Sequence, residues 1–329
     1  MNAIEVMTVE QWRRFDATAP APTFFARPAW ACALSRAFPR FTPHPLRVRG
    51  RDAIFIVPLV RAAGGTLRWR ELIGMPMGAY TCVLREDGSA ANAAQTREAL
   101  EIVARACDAL VVTPWPLGAT ADLPAWRTSA HETAVVDMRQ GLDAAIGRAD
   151  GRARRMAGQA LRRGVRCRRI HSTAAAVGAY YAMLEESAKR WGLARPPFPR
   201  TLLEAVLELG DGAAEVWLAE CDGETIAGGV VLYGSQELFF WSAAMRAEYG
   251  RLRPSNALNF ALLEAAAARG VAWYNLGASE GLPGVERFKL SLGASAVPYD
   301  ELRHERTAFR MYDRLRTSLR HAPAAASAG

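Results

Sequence analysis

The sequence lacks most of the features that point to particular kinds of site. Its five cysteines are odd in number, widely scattered and without a CxxC pair, so neither a zinc site nor a disulfide framework is predicted. The five histidines are solitary, with no serine or acid partner at a meaningful spacing, and a hydrolytic triad is unsupported. No apolar run reaches about 18 residues, so no transmembrane helix is expected.

A targeting signal is missing as well. The stretch MNAIEVMTVEQWRRF indicates a short strand followed by a helix, without the charged-then-apolar order of a signal peptide. We therefore expect a cytoplasmic protein without a metal site. With 329 residues, of which 50% are hydrophobic, the chain is long enough for two domains with cores of their own.

Lysine is scarce, since only Lys189 and Lys289 among the 41 basic residues are lysines. A GC-rich genome would explain the many arginines, and the net charge of +8 favours anionic partners. Residues 151–170 carry eight arginines and no acid. They predict an amphipathic helix with Met156, Ala160 and Leu161 on its apolar side. Its basic face is either solvated or a platform for the phosphates of a nucleotide cofactor or an RNA.

The predicted order of elements repeats. The first half has the order β, α, α, β, β, β, α, β, and the second half repeats it. In the second half, a three-stranded meander turns at residues 222–223 and 234–235, and a helix follows with Ser255 as its N-cap. A repeat of this length predicts two copies of one α/β domain, joined between residues 139 and 150.

The resulting domain division is residues 1–145 and residues 146–320. The last residues, 321–329, read HAPAAASAG and have no apolar periodicity, so we expect them to be disordered.

Four motifs of the second half, in order, resemble a known family. They are the Arg-rich RRMAGQALRRGV, then EESAKRWG, then RPSNALNFALLEAAAARG with VAWYNLGAS, and last Gly284, Arg287, Phe288, Lys289 and Gly293. The set is similar to the Fem-type peptidyltransferases and the BioF2-like (CelD-like) acetyltransferase domains of the GNAT superfamily. The resemblance covers about residues 150–290, and the first half matches in element order and in FFARPAWACAL. It implies tandem GNAT-like (acyl-CoA N-acyltransferase) α/β domains with mixed central sheets.

The resemblance also implies a reaction. A GNAT-superfamily N-acyltransferase or aminoacyltransferase moves an acyl group from an activated donor, aminoacyl-tRNA or acyl-CoA, to an amine acceptor and forms an amide. The donor is a co-substrate, and no tightly bound cofactor is expected. Two other classes stay open: a non-catalytic tRNA- or RNA-binding module, with contacts through residues 152–169, and a scaffold for polysaccharide or natural-product synthesis.

The candidate catalytic residues lie in the stretch NLGASEGLPGVERFK. We expect its strand to stop at Gly277 and regular structure to resume near Arg287. By resemblance, Lys289 lies at the active cleft near the reacting carbonyl, where an ammonium suits a developing oxyanion. The other interpretation of Lys289 is a solvent-exposed lysine at a helix start. Ser279 and Glu280 are available to accept the amine proton, although Glu280 could be a plain loop residue.

Further candidates concern substrate binding. Counted from Arg251, Pro254 and Asn256 stand where the family loop R/Q-x-x-G-x-G/A has small residues, which disfavours ordinary coenzyme A binding. The strands LFFWSAAM and AWYNLG are expected to splay around the donor, with Trp241 facing the core or the acyl pocket. Tyr80 and Trp30 are expected to line an inter-domain groove. The full set of substrate-binding candidates is Phe288, Arg287, Arg190, Trp241, Arg251, Arg253, Asn256, Tyr80 and Trp30.

Overall fold

A computed structural model of the chain describes residues 3–63, 69–170, 174–279 and 281–321. The helices are α1 (Val9–Thr18), α2 (Pro28–Ala37), α3 (Ala93–Ala106), α4 (Leu142–Arg148), α5 (Gly151–Arg162), α6 (Ala174–Arg190), α7 (Arg200–Leu209), α8 (Pro254–Ala268), α9 (Pro283–Ser291) and α10 (Thr307–His321). The strands of the first half are β1 (Ile4–Val6), β2 (Phe41–Pro43), β3 (Leu46–Arg49), β4 (Ile54–Val57), β5 (Val60–Ala62), β6 (Glu71–Gly74), β7 (Leu84–Arg85), β8 (Ala109–Val112) and β9 (Arg127–Asp137). Those of the second half are β10 (Arg166–Ile170), β11 (Ala214–Cys221), β12 (Glu224–Tyr233), β13 (Glu237–Met245), β14 (Trp273–Asn275) and β15 (Ser295–Glu305).

Local sequence signals account for several of these boundaries. Thr8 begins α1 with a capping box, in which its side chain and that of Gln11 bond each other's backbone amides. Asn92 and Gln95 begin α3 in the same way. Each capping box satisfies amides that the first helical turn cannot pair.

Two sheets hold the strands. A four-stranded sheet has the order β1-β3-β4-β7, and an eleven-stranded sheet has the order β10-β11-β12-β13-β14-β9-β15-β8-β6-β5-β2. Among the described strands, only two neighbouring pairs are parallel, β13 with β14 and β6 with β8. The eleven-stranded sheet is therefore mixed, as the sequence predicted, whereas the four-stranded sheet is antiparallel. The predicted meander of β11, β12 and β13 is confirmed.

The two halves exchange strands. Strand β9, from the first half, lies between β14 and β15, while β15, from the second half, lies between β9 and β8. Each half thus completes its sheet with a strand of the other, and the eleven-stranded sheet runs across the predicted junction. The division into domains 1–145 and 146–320 stays a prediction.

The sequence did not predict β9, β15 or α10. The first six residues of β9 are exposed, and five of them are polar. Strand β15 contains Pro298 and mixes polar with apolar residues, so neither strand shows a clean alternation. Helix α10 extends to His321, which the predicted tail included, and residues 322–329 lie outside the described part of the chain.

The boundaries around the predicted site also differ. Strand β14 ends at Asn275, and helix α9 begins at Pro283 rather than near Arg287. Proline is well placed there, because the first helical residue needs no amide hydrogen bond. The N-cap of α8 is Arg253 rather than Ser255, and Pro254 again occupies the first turn.

Aromatic side chains join the halves in a shared core. The Phe25 ring, from the first half, packs edge-on against Phe239 of β13, with 4.8 Å between ring centroids. Trp30 of α2 packs edge-on against Trp241 of β13 at 5.5 Å. Such pairs add roughly 0.5–1.5 kcal/mol to the burial of their area. The contact between the halves is therefore part of the hydrophobic core.

Candidate active site

The parallel strands β13 and β14 separate at one point of the sheet. They pair as far as Phe239 opposite Asn275. Beyond that point β13 continues to Met245, whereas the chain after β14 stays with β9, since the Leu276 amide donates to the Ala134 carbonyl at 2.8 Å. We call the opening between residues 240–245 and residues 276–279 the second-half cleft. Between residues 240 and 244 this edge of β13 has no described strand opposite it. At Met245 the amide donates to Ser187 and the carbonyl accepts a hydrogen bond from Arg190.

The wall of this cleft that consists of residues 276–279 is held by side chains from two sides. The side chain of Asn275 accepts a hydrogen bond from the Gly277 amide at 2.9 Å. The Lys289 ammonium donates to the carbonyls of Gly277, at 2.9 Å, and Ala278, at 2.8 Å. Gly277 has a φ of 73°, a conformation that glycine adopts without steric cost. The backbone of this wall is therefore fixed by side chains from β14 and α9.

Lys289 is not the exposed lysine of the second interpretation. It lies in the last turn of α9 with 8% of its surface exposed. Its neighbour Phe288 is half-buried against the main core, whereas Arg287 is exposed and donates to the Pro283 carbonyl at 3.2 Å within its own helix. The structure thus places Phe288 and Lys289 behind the wall of the cleft and directs Arg287 outward.

The predicted proton acceptors, Ser279 and Glu280, come at the end of the same stretch of chain that forms this wall. Ser279 is half-buried, and its carbonyl accepts a hydrogen bond from the Leu282 amide at 2.9 Å. This bond turns the chain from the wall towards α9. Glu280 lies outside the described residues. The catalytic roles of Ser279, Glu280 and Lys289 stay predictions.

A buried polar network lies behind Asn275, and sequence reasoning missed it. Asn275 donates to the Glu237 carboxylate at 2.8 Å and accepts a hydrogen bond from Thr133 at 2.6 Å. The Trp115 indole donates to the same Glu237 oxygen at 3.2 Å. Thr133 and Trp115 belong to the first half, so the network joins both halves to the wall of the cleft. The one available signal was an acid opening the apolar strand ELFFW.

Burial changes the pKa values of the acidic groups in and beside this network. Glu237 is 0% exposed, and burial raises the pKa of its carboxyl above the ordinary value. Hydrogen bonds from Asn275 and Trp115 favour the ionised form and act in the opposite direction. Burial also raises the pKa of Tyr80, whose hydroxyl lies 3.5 Å from the Asn275 side-chain amide, with the Glu237 charge adding to the shift.

The other wall of the second-half cleft, formed by residues 240–245 of β13, is fixed where the strand ends. Arg190, the last residue of α6, donates to the Met245 carbonyl at 2.6 Å and to the Ser187 hydroxyl at 3.0 Å. Its side chain therefore anchors the strand that borders the cleft, and the predicted ligand contact of Arg190 stays a prediction. The adjoining Trp191 is 51% exposed.

The predicted aromatic candidates lie deeper. Trp241 is half-buried and stacks on Phe198, with ring centroids 4.2 Å apart. Trp30 and Tyr80 are 0% and 1% exposed. Both are packed into the core between the halves rather than along an open groove, because Phe25 fills the space between them, 4.9 Å from Trp30 and 5.8 Å from Tyr80.

The loop between β13 and α8 carries the phosphate-site candidates. Arg251 and Arg253 are exposed, and Arg253 has a left-handed φ of 59°. Pro254 has no amide hydrogen, and the amide of the buried Asn256 donates to the Arg253 carbonyl at 3.1 Å. The first turn of α8 thus has no amide at Pro254 and a paired amide at Asn256, and the expectation against a pyrophosphate site stays a prediction.

Residues 152–169 contain eight arginines, of which six fall into two groups and two, Arg163 and Arg166, donate to backbone carbonyls. On α5, the buried face consists of Ala153, Ala157 and Ala160, and Leu161 is 49% exposed, contrary to the predicted apolar side. Arg168 and Arg169 lie on β10 and pair with Glu220 and Glu215. Four exposed arginines on α5 have no ion-pair partner among the described residues: Arg152, Arg154, Arg155 and Arg162.

Helix α5 adjoins the loop that precedes α8. Arg163, the C-cap of α5, donates to the Arg251 carbonyl at 2.8 Å. The C-terminal end of α5 therefore lies against the loop that carries Arg251 and Arg253.

Metal-binding clusters and membrane-spanning helices are both missing from the described residues. No group of three or more histidine, cysteine or acidic side chains in these ranges is arranged to hold a metal ion. No helix in the same ranges is both long and apolar enough to cross a membrane.

Comparisons with known proteins agree with this architecture. Residues 145–290 match the family model described as the acetyltransferase (GNAT) domain. The crystal structure of FemX is 12% identical, with a TM-score of 0.69, and the alignment covers 96% of this chain and 100% of that chain. No curated protein matches the sequence.

Two further structures share the fold. The C-terminal domain of a putative lysylphosphatidylglycerol synthetase from Agrobacterium fabrum is 13% identical, with a TM-score of 0.57 and 94% and 96% of the two chains covered. A tandem GNAT protein from the clavulanic acid biosynthesis pathway is 13% identical, with a TM-score of 0.52 and 92% and 98% covered.

Fold and cleft together define an α/β protein built of tandem GNAT-like halves with mixed central sheets. Residues 145–290 match a GNAT acetyltransferase domain, and the chain shares its fold with FemX, in agreement with the resemblance to the Fem-type proteins.

Proposed function

We propose that the protein transfers an acyl group from an aminoacyl-tRNA to an amine acceptor and forms an amide, in the second-half cleft. The observation that carries the proposal is the separation of β13 from β14 beside the N-terminus of α8, within the GNAT domain. Along residues 240–244 β13 has no described strand on this side, and the exposed Arg251 and Arg253 lie in the loop that follows it. Together they supply a place for a reacting carbonyl and a place for the phosphates of its carrier.

The chemistry follows from these two features. A donor carbonyl set against the open edge of β13 would receive backbone N–H hydrogen bonds, which strengthen as the carbonyl oxygen becomes an oxyanion. The neutral amine attacks the ester carbonyl, and its proton passes to Ser279 or Glu280, directly or through water. Collapse of the intermediate breaks the ester C–O bond and releases the ribose oxygen of the tRNA, which takes up this proton, so that the amide and a free hydroxyl are the products. Lys289 keeps the Gly277 and Ala278 carbonyls turned away from the reacting oxygen and adds positive charge behind the wall.

The choice of donor rests on the basic surface. The four α5 arginines without ion-pair partners among the described residues, with Arg251 and Arg253, suit a polyanion longer than one coenzyme. The first turn of α8, with Pro254 and a bonded Asn256 amide, gives little support to a pyrophosphate. A tRNA donor would also mean that the protein works in the cytoplasm.

A tRNA-binding module without catalysis is the second candidate, because the same arginines would bind RNA whether or not the cleft is active. Measuring whether an amine causes discharge of the donor distinguishes the two candidates, because only an enzyme would catalyse that discharge.

The donor class can be tested by binding. We expect a charged tRNA to bind with an affinity that falls steeply as salt rises, because each neutralised phosphate releases counterions. Changing Arg152 and Arg155 to glutamine should weaken binding several-fold and reduce the salt slope by about 0.9 for each phosphate that the variant no longer neutralises. Arg97→Gln, at an exposed and ion-paired arginine of α3, is the control and should change neither. A dissociation constant for coenzyme A of about 1 μM, near −8 kcal/mol, with no salt-dependent tRNA binding would contradict the donor assignment.

A further inference from the structure

Helix α10 presents an apolar strip to solvent. Met311 is 62% exposed and Leu315 is 65% exposed. The two residues are four positions apart, so they lie on one face of the helix. In the sequence the same spacing continues to Leu319. Isolated exposed apolar residues are ordinary, but large ones that recur on one helical face indicate a contact surface.

The strip is not part of the face by which α10 packs on the rest of the protein. Phe309 is buried, and its ring lies edge-on to that of Trp69, with centroids 5.7 Å apart. The ring of Tyr312, three residues further on, lies 5.7 Å from the same Trp69 ring. These two rings hold the helix to the first half, so Met311 and Leu315 stay exposed although the helix is already packed.

A row of arginines runs beside the strip. Arg310 and Arg314 each precede one of the two apolar residues, so they lie about 100° around the helix axis from them. Arg314 is exposed, and the Nε of Arg310 has no hydrogen-bond partner among the described residues. Within the same ranges neither arginine forms an ion pair. Guanidinium groups of this kind are suited to phosphates.

The surroundings of the strip are positively charged. Helix α10 contains four arginines and one acid, Asp313. At the start of the helix, Asp108 is shared by Arg306, at 3.5 Å, and Arg70, at 3.8 Å, so that one carboxylate faces two guanidinium groups. The local charge therefore favours an anionic partner.

From the apolar strip and the arginine row beside it we infer that α10 binds the surface of an anionic phospholipid bilayer and lies in the plane of that surface. Met311 and Leu315 enter the boundary between headgroups and acyl chains, while Arg310 and Arg314 contact headgroup phosphates. The bilayer surface satisfies both features. An RNA would use the arginines alone, and a second copy of α10 would bring its own arginines towards them.

This surface goes beyond the proposed acyl transfer, since docking on a membrane requires no reaction in the second-half cleft. The test is co-sedimentation of the full-length protein with vesicles. Vesicles of phosphatidylserine and phosphatidylcholine present the anionic surface, and vesicles of phosphatidylcholine alone are the neutral comparison. We expect binding to the anionic vesicles and binding about tenfold weaker, or less, to the neutral ones.

Exposed positions allow variants that leave the core intact. Met311→Ser combined with Leu315→Ser should weaken binding to anionic vesicles about tenfold, because the inserted apolar surface is lost. Arg314→Gln should weaken it about fivefold, the effect of removing one charge near an anionic surface. Leu161→Ser, at an exposed leucine of the Arg-rich α5, is the matched control for the serine changes and should bind as the parent does. Unchanged melting curves show that the variants fold, and Leu315→Ser alone is used if the double change melts early.

Binding to anionic vesicles that depends on Met311 and Leu315 supports the inference. Equal binding by the parent and the double-serine variant would overturn it, as would no binding to anionic vesicles or a loss with Leu161→Ser alone. A dimer in sedimentation velocity that the two serine changes dissociate, without vesicle binding, would assign the strip to a second copy instead. None of these results depends on donor discharge, so failure here is distinct from failure of the proposed transfer.

Discussion

At the scale of single residues, Lys289 is the best example of how little a motif says about the role of its side chain. From the motif that it shares with Phe288, we predicted that Lys289 lies at the active cleft. In the structure, its ammonium donates hydrogen bonds to two carbonyl oxygens of the cleft wall. The sequence also suggested an exposed lysine with little packing, but the side chain is buried. Its burial depends on the turn at Ser279 and on the start of α9 at Pro283, which spacing alone does not fix.

Replacing Lys289 by methionine should therefore lower both stability and turnover. Two carbonyls of the wall would lose their partner, at a cost of about 1–3 kcal/mol each at most. The wall would then be free to move, and we expect turnover per folded molecule to fall about 10²-fold, as for the loss of a group that positions an oxyanion site. Denaturant unfolding and turnover of the folded fraction measure the two effects.

The other lysine provides the control. Lys189→Met, at an exposed position near the end of α6, should change neither quantity by much. A Lys289→Met protein as stable and as active as the parent would show that the wall does not need the ammonium.

The pKa of Glu237 leads to a second prediction at this scale. Because burial raises this pKa above its ordinary value of 4.5, the folded protein holds the proton more tightly than the unfolded chain. The Glu237 contribution to stability is therefore most favourable below the unfolded-state pKa. It is lost as pH rises from there through the raised folded-state value.

Glu237→Gln should remove this dependence while keeping an oxygen acceptor for Asn275 and Trp115. We expect melting temperatures of the parent and the variant to diverge as pH rises above about 4.5, with the variant the more stable. Glu10→Gln, at an exposed carboxylate of α1, is the control. Parallel melting curves across this range would mean that Glu237 does not titrate with folding.

At the scale of elements, the exchange of β9 and β15 was beyond the reach of the sequence. The second-half strands β11 to β13 alternate or are continuously apolar, and their turns contain Gly223 and Gly234, so they were predictable. Strand β9 has an exposed outer part, and its partner β15 comes from the other half. The pattern of a single sequence identifies strands such as β11 to β13. It cannot show which distant strand pairs with β9.

This exchange predicts that neither half folds alone. Residues 146–329 without β9 would expose the edges of β14 and β15, and such edges promote aggregation. We expect this segment to be insoluble when expressed by itself and to become soluble on co-expression with residues 1–145. Sedimentation and heteronuclear spectra report the outcome. A soluble second half with cooperative unfolding would contradict the structural interdependence.

At the scale of the whole molecule, the class of fold followed from element order and four motifs, while the geometry of the cleft did not. Asn275, Glu237, Thr133 and Trp115 come from distant parts of the chain, and their network appears only when β9 lies beside β14. Sequence reasoning pointed to Ser279 and Lys289 at the wall of the cleft, because they belong to one short stretch of the chain. It missed the residues that connect the halves, because each is separate in sequence.

The central claim is that the second-half cleft passes an acyl group to an amine. The most direct measurement follows discharge of aminoacyl-tRNA and, separately, of acyl-CoA by the purified protein, with and without a panel of amines, and detects the amide by mass spectrometry. We predict amine-dependent discharge of aminoacyl-tRNA with an amide product, at a rate at least about tenfold above that with acyl-CoA, a difference of 1.4 kcal/mol in the barrier. A protein that binds tRNA but discharges no activated donor in the presence of any amine would contradict the claim.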